Sequence, residues 1–172
     1  LVDWKNVDFL IYCFSKYIKK SNLHIHLIIV GDGDNKYLDS LKKLTHKLEV
    51  KNIVTFAGFN SEPDRVISAF DLMIAPSNKE PFGRTLVEAM IQKTPILAAR
   101  GGGHSEIINN EVTGRLYDHN NVDDFIDKCE IFFNNSESNY EIINKANDTA
   151  YIKYSAHKHA ENIIQIYKNL SI

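Results

Sequence analysis

Long apolar runs are the first thing this chain lacks. No stretch approaches the ~20 consecutive apolar residues that a membrane span needs, so no integral membrane segment is expected. The opening residues LVDWKN do not show the basic-then-apolar pattern of a secretion signal. Cysteine is scarce. Cys13 and Cys129 lie far apart in apolar helical patterns, which suits buried free thiols in a reducing, cytoplasmic setting and excludes a disulfide scaffold. An excess of one charge is also missing: 20 basic residues face 22 acidic ones, for a net −2. The basic residues are spread along the chain, which leaves neither a nucleic-acid footprint nor a polybasic membrane patch. Seven histidines suggest metal at first glance, yet none belongs to a ligand set. His24 and His26 share a strand face with Ile28, His157 and His159 stand two apart on a helix, and no carboxylate or cysteine completes either pair. No repeat and no low-complexity linker interrupts the 172 residues, 44% of them hydrophobic, so the material is that of one good core.

What is present is organised around residues 76–90, PSNKEPFGRTLVEAM. The apolar run 72–75 before it reads as a strand buried on both faces, and residues 84–92 have the spacing of an apolar-faced helix. The loop between them carries Glu80, and the second turn of the helix carries Glu88. Gly83 stands at the turn, so the first free amides of that helix can approach a ligand closely. That is an anion site in outline. Carboxylates repel phosphate, so Glu80 and Glu88 need another partner. An ionised carboxylate accepts two hydrogen bonds in one plane, which suits the vicinal diols of a ribose or hexose. The stretch therefore reads as a cradle for a sugar nucleotide.

Around it, strand and helix alternate. The periodicity predicts helices over 6–20, 36–48 and 62 or 63 to about 70, and strands over 24–30 and 53–56. After the central stretch come a strand over 95–99, a flexible glycine turn at 101–103, a short helix over 105–109 and a strand over 114–117. Such alternation argues α/β: a Rossmann-like parallel sheet with helices on both faces. Beyond Asp118 the pattern is helical only, over 122–133, 140–153 and 156–170, with polar NNSES between the first two.

Glu80 and Glu88, within EPFGRTLVEAM, resemble the E-x7-E motif of retaining glycosyltransferases of the GT-B fold, family 4 or group 1. The likeness also covers Lys5, VGDG at 30–33, FAGF at 56–59, AFDLMIAPS at 69–77 and GGHSEIINNEVTGRLY at 102–117, in the family's order. Five ordered segments are far more specific than a single E-x7-E.

The resemblance implies the C-terminal, donor-binding half of such an enzyme, one domain over 1–172 with 119–172 as its helical tail. The N-terminal acceptor domain, the first strand and an arginine are then expected outside the chain. In the doubly wound order 3-2-1-4-5-6 that strand is central, so its loss would leave a gap between the second and fourth. The implied partner is a nucleotide-sugar, UDP- or GDP-linked, with no metal or other cofactor and no nucleic acid. The last helices are expected to reach toward the other domain and to be less firmly held without it. The full-length enzyme would be cytoplasmic, at most peripheral at the inner membrane face. Catalytic roles fall to Lys5, Glu80 and Glu88: Lys5 neutralises the diphosphate, Glu80 orients the sugar and Glu88 the ribose. Nucleotide-sugar contacts fall to Gly31, Gly33, Phe59, Asn60, Phe82, Gly83, Arg84 and Thr85. The lysine is needed because a helix end offers roughly half a charge against about two on a diphosphate. A pair between Arg84 and Glu88 would also occur without any ligand. Two other readings stay open, a non-catalytic nucleotide-binding domain and a sugar-nucleotide epimerase of related architecture. A nicotinamide dehydrogenase is more distant, because Lys36 stands where G-x-G-x-x-G needs its third glycine.

Overall fold

A computed structural model of the protein describes residues 1–77 and 79–170; Asn78, in the loop that carries Glu80, lies outside them. After one 3-10 turn at Asp3–Lys5 the chain forms α1 (Val7–Lys20), β1 (Leu27–Val30), α2 (Asn35–Lys47) and β2 (Val54–Gly58). It continues through α3 (Pro63–Ile67), β3 (Met73–Ala75), α4 (Arg84–Ile91), β4 (Ile96–Ala99), α5 (Gly102–Ile107) and β5 (Arg115–Tyr117). Three helices close it, α6 (Val122–Asn134), α7 (Ser136–Tyr154) and α8 (Ala156–Leu170).

Every strand pairing is parallel, but the strands form two sheets. β1 pairs with β2, while β4 lies between β3 and β5. The free edges of β1 and β3 fall where the expected strand order has its gap. One helix holds the two pieces together. On α1, Val7, Ile11 and Phe14 pack with Ile29 of β1, Leu41 of α2 and Val54 of β2. Its neighbouring stripe, Leu10, Cys13 and Tyr17, packs with Leu97 and Ala99 of β4, Tyr117 of β5 and Phe125 of α6. Two stripes on one helix thus serve two cores, because residues three and four apart share a face.

The three-stranded sheet is covered on both sides, as a period of two requires. On β4, Leu97 and Ala99 face the α1–α6 layer, whereas Ile96 and Ala98 face α4, α5 and α7 through Leu86, Met90, Ile107 and Ala146. The two-stranded sheet is less complete. Its α2 side is closed, but the other side leaves Ile28 half exposed beside a hollow of about 330 Å³ lined by Val30, Ala57, Val66, Ala69 and Phe70.

Three local expectations need correction. The first strand starts at Leu27, not residue 24, because its register partner is Val54 and the ladder begins there. Residues 101–103 are no flexible turn: Gly102 and Gly103 open α5, with the Gly103 amide donating to the Glu80 carbonyl at 2.8 Å and the Gly101 amide to Ser105 Oγ at 2.9 Å. The helix expected from residue 140 begins earlier, within NNSES. Asn135 Oδ1 accepts from the Ser138 amide at 3.1 Å, so α7 begins at Ser136. The tail itself divides. α7 buries Ile142, Ala146 and Ala150, and Asn147 Nδ2 donates to the Met90 and Ile91 carbonyls at 3.1 and 3.0 Å. α8 buries nothing, leaving Ile163, Ile164, Ile166 and Tyr167 exposed. No helix among the described residues is long and apolar enough to cross a membrane.

Candidate functional site

The site begins where β3 ends. Pro76 and Ser77 are buried, and the following loop returns to Gly83, the N-cap of α4, at φ 94° and ψ 52°. A Cβ there would stand 3.3–3.5 Å from His104 Cδ2, Leu86 Cδ1 and Glu80 Cγ, in a backbone conformation that disfavours side chains, so glycine is required. The Leu86 amide bonds to the Gly83 carbonyl at 2.9 Å. Those of Gly83, Arg84 and Thr85 have no backbone acceptor among the described residues, leaving the positive end of α4 open.

Two ion pairs flank this helix start. Lys5 Nζ lies on the Glu80 carboxylate, with side chains 39% and 17% exposed. These residues are 75 positions apart, and what aligns them is Asn6. Its αL backbone (φ 58°) turns the chain into α1, while its side-chain amide donates to the Pro76 carbonyl at 3.4 Å and to Asn120 Oδ1 at 3.1 Å. Glu88, 22% exposed, meets Arg84 Nε at 3.4 Å, but Arg84 is 86% exposed. An i,i+4 pair of this kind contributes only about 0.3–0.5 kcal/mol, so Glu88 is readily released to another partner.

The remaining expected contacts sit on the other sheet. Gly31, at φ 118°, donates from its amide to the Gly58 carbonyl at 2.8 Å, tying together the carboxyl ends of β1 and β2. Gly33 has the Leu1 backbone so close that no Cβ would fit, and the Asp34 amide donates to the Leu1 carbonyl at 3.2 Å. Phe59 projects from the end of β2 with 73% exposure, and Asn60 uses its side chain to accept from the Glu62 amide at 2.7 Å. Residues 1–6 join the two sets, with Leu1 at the Gly33 turn and Lys5 at Glu80. Five residues span at most about 18 Å, so the two halves of the site lie within that reach. Phe82 differs from its neighbours: its ring packs edge-on against Tyr154 at 5.9 Å, leaving only its backbone toward Gly83.

Two groups here escape the reading of the sequence. Ser77 Oγ is buried with no partner among the described residues. His104 is 1% exposed, and its Nδ1 lies 3.0 Å from the Ala99 carbonyl. Burial holds its pKa below the usual imidazole value; the Ala99 carbonyl and Glu80 oppose that shift, and Lys5 reinforces it. Its position directly after three glycines was the available signal. No three His, Cys, Asp or Glu side chains gather as metal ligands among the described residues. The acidic pair lines neither hollow: the second, of about 390 Å³, lies between α5 and α7 beside Arg100 and Lys153.

The family model for glycosyl transferases group 1 matches residues 1–149. An uncharacterized glycosyltransferase of Methanocaldococcus jannaschii is 31% identical over 95% of this chain and 42% of its own length. The poly(ribitol-phosphate) alpha-N-acetylglucosaminyltransferase of Staphylococcus aureus is 29% identical over 99% of this chain and 33% of its own. HepE of Anabaena, solved with UDP, superposes with a TM-score of 0.90 at 25% identity, over 98% of this chain and 46% of its own, and has also been solved with UDP-glucose. The chain therefore spans between a third and just under half of the length of these relatives.

Proposed function

Because this chain belongs to the group 1 glycosyl transferases, we propose that it is the donor-binding part of a retaining glycosyltransferase. The reaction moves a sugar from a nucleoside diphosphate sugar to a carbohydrate or lipid-linked acceptor. The observation that carries this reading is the Lys5–Glu80 ion pair, joining distant parts of the chain beside the open amides of Gly83 to Thr85. The UDP and UDP-glucose complexes of HepE support it.

The bond that breaks joins the anomeric carbon to the diphosphate, and charge accumulates on the departing phosphate oxygens. Amides fixed at a helix start, together with one lysine, stabilise that charge without reorganising at the moment of reaction. Lys5 exchanges Glu80 for the diphosphate, and the released Glu80 carboxylate accepts from sugar hydroxyls. Glu88 exchanges Arg84 for the ribose diol. Neither glutamate acts as a base, and lysine and amides do the neutralising without a metal. Gly31, Gly33, Phe59 and Asn60 receive the nucleoside end. The acceptor and its own catalytic groups belong to sequence beyond this chain, so the chain alone binds nucleotide and transfers nothing.

Calorimetric titration with UDP, GDP, ADP and CMP tests this. One nucleoside diphosphate binds, and Lys5→Ala weakens it at least about tenfold, the scale of a charged hydrogen bond. Failure of all four to bind, or turnover of a nucleotide-sugar onto an acceptor by the chain alone, counts against it.

A further inference from the structure

His104 does more than fill the space beneath Gly83. A carbonyl oxygen can only accept, so the 3.0 Å contact with Ala99 fixes the proton on Nδ1 and leaves Nε2 of the neutral ring as an acceptor. The two ring nitrogens point in nearly opposite directions, so Nε2 is aimed away from Ala99. The ring edge that carries it, through Cδ2, abuts Gly83, where a Cβ would come within 3.3 Å. Glu80 and Lys5 are the charges that reach the ring there. Nε2 has no hydrogen-bond partner among the described residues, although the ring is almost wholly buried. Nε2 is not among the fully buried unpartnered atoms, so on an otherwise buried ring it is an acceptor that keeps access to the space beside the sugar-orienting carboxylate and can take a donor from outside the protein.

We infer that His104 Nε2 accepts a hydrogen bond from a hydroxyl of the donor sugar, making it a sugar-reading residue alongside Glu80. This rests on the donor-binding reading above. Two substitutions separate the ring's two contacts. His104→Asn puts an amide where Nδ1 stands, keeping the bond to Ala99 and removing Nε2. His104→Gln reaches the Nε2 position and gives up the bond to Ala99.

The test measures affinities for UDP, UDP-glucose, GDP and GDP-mannose on the wild type and both variants. In the wild type the sugar nucleotide binds more tightly than its parent nucleotide. His104→Asn weakens the sugar nucleotide by roughly five- to tenfold, the size of one neutral hydrogen bond, and leaves the nucleotide unchanged; His104→Gln restores most of the difference. In the wild type the Nε2 nitrogen resonance shifts with the sugar nucleotide and not with the nucleotide, a readout that needs no variant to fold. Equal weakening of both ligands, an unaltered ratio, a static resonance, or a wild type indifferent to the sugar each overturns the inference. Absence of nucleotide binding altogether overturns the donor-binding reading instead.

Discussion

At the scale of single residues, charge and burial set pH behaviour. His104 has its pKa depressed by burial, so the unfolded chain takes up its proton first, near the ordinary value of about 6.5. The stabilisation from keeping this ring neutral is complete above that value and is lost as pH falls through the folded-state pKa. His119, also depressed, chiefly by burial, acts in the same direction. Denaturant midpoints should fall from pH 7.5 to pH 5, and by less in His104→Asn; an equal fall in that variant would show that His104 contributes no part of the slope. Glu80, Glu88 and Gly83 were legible in the sequence because each residue type at its spacing does something specific. His104 was not, since one buried histidine has the same letter whether it fills a core or reads a ligand, and only its bond to Ala99 decides which nitrogen is left open. Lys5 needed a family resemblance, for its partner lies 75 positions away.

At the scale of elements, helix ends matter more than helix middles. Asn147 of α7 serves the last carbonyls of α4, groups that no helix can satisfy internally. Asn147→Ala should cost about 1–2 kcal/mol in urea unfolding, as removal of one partner of a bonded polar group does; a change within error would mean that solvent replaces it fully. Gly103 is a similar fixed point. It lies so close to the Phe82 backbone that a Cβ has no room, and its amide holds the Glu80 carbonyl. Gly103→Ala should therefore lower both the melting temperature and nucleotide affinity. Helices such as α1 and α2 were legible from apolar spacing alone. The start of α5 was not, because three glycines advertise freedom, and what removes it is a loop some twenty positions earlier. NNSES likewise reads only as a polar break between helices until the Asn135 side chain is seen to cap α7.

At the scale of the molecule, the parallel α/β plan could be read from alternating apolar runs, whereas the division of the sheet was expected only through the family resemblance. The reach of α1 could not, since its second stripe, Leu10, Cys13 and Tyr17, contacts strands whose distance in sequence hides the contact. Nor could the contrast between α7 and α8, since α8 carries the stronger apolar stripe and yet only α7 has buried residues.

The break between β1 and β3 has a dynamic consequence. β4 has a bonded neighbour on either side, whereas β1 and β3 each have one. Opening a flanked strand takes two ladders and opening a flank takes one. In deuterium exchange the amides of Leu97 and Ala98 should outlast those of Ile28 and Ile74, and if all four exchanged together, the two sheets would be opening as one cooperative unit.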